Sequence, residues 1–293
     1  MQCIKTIIHQ YYKQIIMIQL QDVTFAYRRK PKLFKNLNLN LECGKIYGLF
    51  GVNGAGKTTL LKQIGGLLKP SEGVITLNGL NVATRDAQVL SYLFLVPEEF
   101  ELPAVRCSQF VRFNAPFYPN FDLEMYNRCM LEFEMEGDDN LNALSFGQKK
   151  KFFISFGLAT QTPILLMDEP TNGLDIPSKS QFRKIIAQVV TPERCFVIST
   201  HQVRDLAAMI DHVVVVDRGN IVFDFSLYDI AQNLSFGHVV GTTDKEVIYS
   251  EETLTGHNVV YKGNQQESKV DLETLFNAVI KAPELVNDAI KNR

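Results

Sequence analysis

The densest chemistry in the chain lies in nine consecutive residues, Gly51-Val-Asn-Gly-Ala-Gly-Lys-Thr-Thr59. Their spacing is G-x-x-x-x-G-K-S/T, that of a phosphate-binding loop. Glycines let the backbone turn its N–H groups inward around phosphate oxygens, and the helix expected next offers its positive end. Asn53, Gly54, Ala55, Gly56 and Thr59 then belong to the cradle. Lys57 reaches the terminal phosphates, and the Thr58 hydroxyl serves Mg²⁺.

Further along, Ile164-Leu-Leu-Met-Asp168-Glu169 sets two carboxylates at the end of an apolar run. An acidic pair is usually a solvated turn; in this register it ends a buried strand. Asp168 can hold Mg²⁺ through water, and Glu169 can position or deprotonate a water attacking the γ-phosphate. His201 follows Cys195-Phe-Val-Ile-Ser-Thr200, a place suited to sensing that phosphate. Ser145 stands where a helix N-cap would sit, so its hydroxyl and the helix end can meet another phosphate.

The elements that must position these groups alternate. Residues 18–25 and 36–41 alternate apolar with polar, as half-buried strands do, and 45–50 is a short strand entering the loop. A helix is expected over 58–68, stopped at Lys69-Pro70, and a hairpin over 73–77 with its turn at Asn78-Gly79. From about 103 to 142 the texture turns helical, rich in aromatics, Met and Glu, and a helix is expected over 148–159, within a helical subdomain of about 100–160. Strands at 164–167 and 195–199 then alternate with helices at 178–190 and 203–210. Strands at 213–216 and 221–225 close the series. The order implies a P-loop α/β fold: a mixed, largely parallel sheet with helices on its faces and an antiparallel β layer. Beyond 233, two strands (246–249 and 258–261) and a helix (272–280) form a small α+β appendage. The expected organisation is an extension at 1–16, one domain at 17–233, and the appendage at 234–293.

Later residues narrow the family. Leu144-Ser145-Phe146-Gly147-Gln148 closely resembles the LSGGQ signature of ATP-binding-cassette (ABC) ATPases. Ile164 to Pro170 resembles their Walker B segment, Asn172-Gly-Leu-Asp175 their D-loop, and Ser199-Thr-His201 their switch histidine. Order and spacing agree from about Ile18 to Phe225. The resemblance implies ATP and Mg²⁺ as ligands and two chains that clasp two nucleotides head to tail. Ser145, Gly147 and Gln148 would then meet ATP held by the opposing subunit, and Asp175 would touch that subunit. Tyr27 matches the aromatic that stacks on adenine. A second Leu-Ser-Phe-Gly, at 234–237, lacks the glutamine and the helix and reads as coincidence.

Two positions depart from the family pattern. Phe146 takes the place of the signature's first glycine, so its ring must point away from the nucleotide. Glu98 follows Val96-Pro97 where the family usually has glutamine; a carboxylate can still ligate Mg²⁺ but adds negative charge beside the γ-phosphate. The segment Phe117-Tyr-Pro-Asn-Phe-Asp122 resembles one in exporter-type bacterial cassettes, although packing of an aromatic cluster explains it equally.

Bulk composition sets limits. A net charge of −2 over 293 residues gives no general reason to bind nucleic acid. The basic cluster Arg28, Arg29, Lys30, Lys32 and Lys35 is expected to be a solvated turn. Five cysteines, scattered and odd in number, suggest neither a disulfide framework nor zinc. No apolar run reaches the length of a membrane span. The leading expectation is the cytoplasmic, membrane-peripheral ATPase of an exporter whose transmembrane permease is a separate chain. The alternatives are a cassette ATPase working without a membrane, and an ATP-dependent dimerisation switch with little turnover.

Overall fold

A computed structural model describes residues 17–135, 137–240, 246–263 and 269–291; the expected extension at 1–16 lies outside them. An antiparallel layer comes first. Strand β1 (Met17–Ala26) pairs with β2 (Lys32–Glu42) and β4 (Glu72–Leu77), and β4 turns into the short β5 (Leu80–Asn81). The turn residues Asn78 and Gly79 have φ of 49° and 81°, as a two-residue hairpin requires.

The main sheet has the order β10-β9-β3-β8-β7-β6. Strands β3 (Ile46–Phe50), β6 (Leu93–Val96), β7 (Ile164–Asp168), β8 (Cys195–Thr200) and β9 (His212–Asp217) run parallel. The edge strand β10 (Asn220–Ser226) is antiparallel to β9. In β3, Tyr47 and Leu49 join the core shared with the antiparallel layer, while Ile46 and Phe50 join the core on the opposite face. Val214 and Val216 of β9 divide from Val213 and Val215 in the same way. Burial on both faces is why these strands read as unbroken apolar runs.

Helix α1 (Lys57–Ile64) packs between the two sheets through Leu60, Leu61 and Ile64. It ends four residues before the expected stop. Gly65 and Gly66 close it, with Gly66 at φ 66° and the Leu67 and Leu68 amides both returning to the Lys62 carbonyl. After α2 (Ala87–Ser91), the helical region comprises α3 (Cys107–Asn114), α4 (Leu123–Glu132) and α5 (Phe146–Ala159). Its centre is aromatic: Phe156 contacts Phe94, Phe110, Tyr118 and Phe121. Tyr118 and Phe121 are thus packing residues, whereas Phe117 is 75% exposed.

Beyond β7, α6 (Ile176–Val189) leads back to β8. The helix expected over 203–210 is only a 3₁₀ turn, Val203–Asp205. Tertiary ties override its helical composition: Lys179 binds Asp205 at 2.7 Å, and the Asp211 carboxylate and amide both bond to Ile46. The C-terminal part starts with α7 (Leu227–Asn233), and the second Leu-Ser-Phe-Gly lies in strand β11 (Leu234–Val239). With β12 (Val247–Thr253) and β13 (Gly256–Lys262) it forms a sheet of order β11-β13-β12. Helices α8 (Leu272–Lys281) and α9 (Pro283–Lys291) follow. Leu275, Val279 and Val286 share one core with Val213, Val215 and Phe223 of the main sheet.

Candidate functional site

Strand β3 runs into the loop at Gly51. Gly54 and Gly56 sit at φ 81° and 113°, which glycine adopts without penalty. Gly51 is glycine for another reason, since a Cβ there would lie 2.4 Å from the Val216 carbonyl oxygen. Lys57 opens α1, and its ammonium folds back to the Gly51 carbonyl at 2.7 Å and that of Val52 at 3.3 Å. Burial lowers its pKa, opposed by the nearby Glu169, Asp168 and Glu98.

Asp168 ends β7, buried, and accepts the Ser199 hydroxyl. Glu169 is 4% exposed and has a φ of 44°, uncommon for a residue with a side chain. That turn gives its amide to Ser199, at 3.1 Å to the carbonyl and 3.2 Å to the hydroxyl. Its Oε2 accepts the Thr200 hydroxyl at 3.0 Å. Its Oε1 accepts the His201 amide at 2.9 Å and lies 2.8 Å from His201 Nδ1. Adjacent parallel strands β7 and β8 therefore deliver both carboxylates and the histidine to one sheet end.

Lys57, Thr58, Glu98, Glu169 and His201 line one cleft of about 730 Å³. Tyr27, Asn53, Gly54, Gly56 and Thr59 line it too. Asp168 and Ala55 are buried and lie outside its lining. The family model described as ABC transporter matches residues 34–172. The methionine import ATP-binding protein MetN of Carboxydothermus hydrogenoformans is 30% identical over 239 residues, spanning 75% of this chain and 68% of its own. This chain belongs to the ABC transporter ATP-binding proteins. It is accordingly an ATPase subunit that works with a separate membrane partner.

The linearmycin resistance ATP-binding protein LnrL of Bacillus subtilis is 25% identical over 233 residues, spanning 78% of this chain and 75% of its own. Among solved structures, the dimeric ATP-binding cassette MJ0796 bound to ADP and Pi matches with a TM-score of 0.64. It is 23% identical, covering 72% of this chain and 98% of that one, and shows the fold alone.

The remaining expected residues of the ABC subunit lie outside the cleft. Ser145 caps α5 in a capping box: its hydroxyl accepts the Gln148 amide at 3.3 Å, and the Gln148 side chain accepts the Ser145 amide at 2.9 Å. Gly147 is small because a Cβ there would stand 2.8 Å from the Gly173 carbonyl oxygen. Phe146 turns its ring onto Gly173. Asp175 caps α6, accepting the Ser178 amide at 2.9 Å. Bonding with Ser178 lowers its pKa.

Tyr27 stands edge-on to Phe25, and its hydroxyl meets that of Thr59 at 3.0 Å. Arg28, Arg29 and Lys30 form an exposed turn, as expected, and Lys30 and the exposed Lys32 also line the cleft together with Pro31 and Leu33.

The donor set fits Mg²⁺. Thr58, Glu98 and Asp168 offer hard oxygens. Mg²⁺ is usually held by one or two carboxylates plus phosphate and water rather than by a protein cage. Glu98 itself accepts the Asn172 amide at 3.1 Å. Beneath it lies Lys150, whose pKa burial pushes down to about 8 against the opposing pull of Glu98, Asp168, Glu169 and Glu99.

Proposed function

We propose that this ABC subunit hydrolyses ATP to drive export through a separate transmembrane permease, with an antibiotic or other drug as cargo. The carrying observation is the meeting of Lys57, Glu98, Glu169 and His201 in one cleft, with Asp168 at the end of the same sheet. Lys57 binds the β- and γ-phosphates. Thr58 and Asp168 hold Mg²⁺, with Glu98 as a further ligand; when bound, the ion supplies positive charge that offsets the phosphate oxygens. Glu169 Oε2 accepts a hydrogen bond from Thr200, which leaves lone-pair capacity for a proton of the attacking water. Thr200 and His201 hold that carboxylate in place, and His201 reports on the γ-phosphate. Tyr27 stacks on adenine.

Ser145, Gly147 and Gln148 complete the nucleotide site of an opposing subunit, and Asp175 lies at that contact, in a homodimer or heterodimer. The permease docks on an apolar groove of about 610 Å³ lined by residues that include Pro97, Phe110, Phe117 and Tyr118. No described helix is long and apolar enough to cross a membrane, consistent with a subunit peripheral to the cytoplasmic face. Export is supported by the Phe117–Asp122 segment and by the likeness to the linearmycin resistance protein LnrL; the likeness to the methionine import protein MetN points the other way.

Drug sensitivity and partner capture test this reading. A strain carrying Lys57→Ala should become more sensitive to at least one antibiotic. Glu169→Gln protein with ATP and Mg²⁺ should recover one multi-spanning protein from membranes in roughly equal amount. Unchanged sensitivity together with lost nutrient uptake would overturn export. Capture of ribosomes or of no membrane protein would overturn the permease.

A further inference from the structure

Glu98 meets Phe146 and Lys150, neighbours one turn apart on α5, around one buried ammonium. Lys150 projects from the first turns of α5 and is 0% exposed. It donates to the carbonyl of Glu98 at 2.7 Å and to that of Pro97 at 3.3 Å. The rings of Phe100 and Phe146 each stand 5.5 Å from it. Phe146 in turn abuts Gly173, where a Cβ would lie 2.6 Å from its ring, and the neighbouring Asn172 holds the Glu98 carboxylate at 3.1 Å. The cation therefore ties the loop at Glu98 to the head of α5, and Phe146 and Asn172 join the loop at Gly173 to both.

Burying an ammonium is costly unless it is paired and hydrogen-bonded. Here the carbonyls and rings satisfy its donors, and the acidic residues Glu98, Asp168 and Glu169 supply the opposing field. The benefit runs both ways. Those carboxylates otherwise face one other buried cation of the site, Lys57, and polyphosphate adds more negative charge.

We propose that Lys150 is a positioning residue of the nucleotide site: its ammonium fixes the Pro97–Glu98 backbone to α5 and supplies the countercharge that lets a glutamate stand at position 98. The Phe146 ring covers that ammonium, so a phenylalanine in the signature and a glutamate at 98 are two parts of one arrangement. The proposal rests on the reading that Glu98 lines the ATP site.

A double-mutant cycle tests it. Turnover and KM for Mg-ATP are measured for wild type, Glu98→Gln, Lys150→Met, Lys150→Gln and the combined variants, alongside melting temperatures and binding of a fluorescent ATP analogue. Lys150→Met should lower kcat about tenfold with Glu98 present, changing KM little. In the Glu98→Gln background the same change should cost about twofold or less, a coupling within the range for contacting residues. Lys150→Gln, which keeps a donor and removes the charge, should lower kcat several-fold with Glu98 present and by about twofold or less relative to Glu98→Gln alone. Effects that simply multiply, or Lys150→Met at wild-type kcat, would overturn the proposal. If Lys150→Met does not fold, the Lys150→Gln and Glu98→Gln pair answers the same question. A wild-type protein that binds no ATP analogue would instead overturn the reading of the site.

Discussion

The loop before α1 and the head of α5, the two ends proposed to approach phosphate, are built by different means. The loop is a backbone device: glycines at positive φ and a lysine folded onto its own carbonyls. The head of α5 is a side-chain device, made of the Ser145–Gln148 capping box, a phenylalanine over a buried lysine, and that lysine's grip on another loop. A backbone device is written in consecutive residues and admits few substitutions. A side-chain device is written across distant residues, and it tolerates departures when they occur together. The departures at 98 and 146 both fall on the second side.

The largest expected effect lies in the chemistry both ends serve. Glu169→Gln should reduce turnover by about 10²–10⁴-fold, the usual contribution of a positioned general base, with ATP binding retained in a fluorescence titration. Next come the glycines, which separate the reasons for the backbone device. Gly51→Ala meets the Val216 carbonyl at 2.4 Å and should cost about 3 kcal/mol or prevent folding. Gly54→Ala has nothing within 4 Å and pays only for its φ of 81°, about 1 kcal/mol. Equal melting losses for the two would show that close approach is not what Gly51 provides.

On the side-chain end, Gly173→Ala should cost about 1–3 kcal/mol through its φ of 79° and its clash with the Phe146 ring, and Phe146→Ala should relieve only the clash in denaturant titrations. Gln63 in α1 lends a smaller, opposite effect. It is fully buried, with neither amide atom hydrogen-bonded to a described residue. Gln63→Met should therefore stabilise the protein, by about 1 kcal/mol. Smallest of all, Arg204→Ala removes an ion pair with Glu273 in which the arginine is largely exposed, and should change the melting temperature by an amount near the limit of detection.

The same division explains what was legible in the sequence. Loop 51–59, Asp168-Glu169 and His201 are short strings flanked by strand patterns, and the structure brings those of them that line the cleft together where parallel strands end. Lys150 was not legible, because nothing near it in sequence says that its ammonium meets the carbonyls of residues 97 and 98. Lys30 and Lys32 are the solvent-facing charges the sequence suggests, whereas their place at the cleft's border depends on where the sheet sets their turn. The 203–210 segment has helical composition, but its ties to Lys179 and Ile46 come from other elements. Strand β6 escapes a sequence reading because four residues carry a weak periodic signal; helix α9 lies beyond the expected 272–280 helix although Val286, Ala289 and Ile290 recur at helical spacing.

The most direct test of the account is steady-state hydrolysis of Mg-ATP by wild-type and Glu169→Gln protein, with the mass of each followed by light scattering in ATP. The expected result is measurable turnover by the wild type, a loss of at least about a hundredfold in the variant, and a variant that is dimeric in ATP and monomeric in ADP. Turnover in the variant equal to that of wild type would contradict it, because the group placed to activate water would then be doing something else.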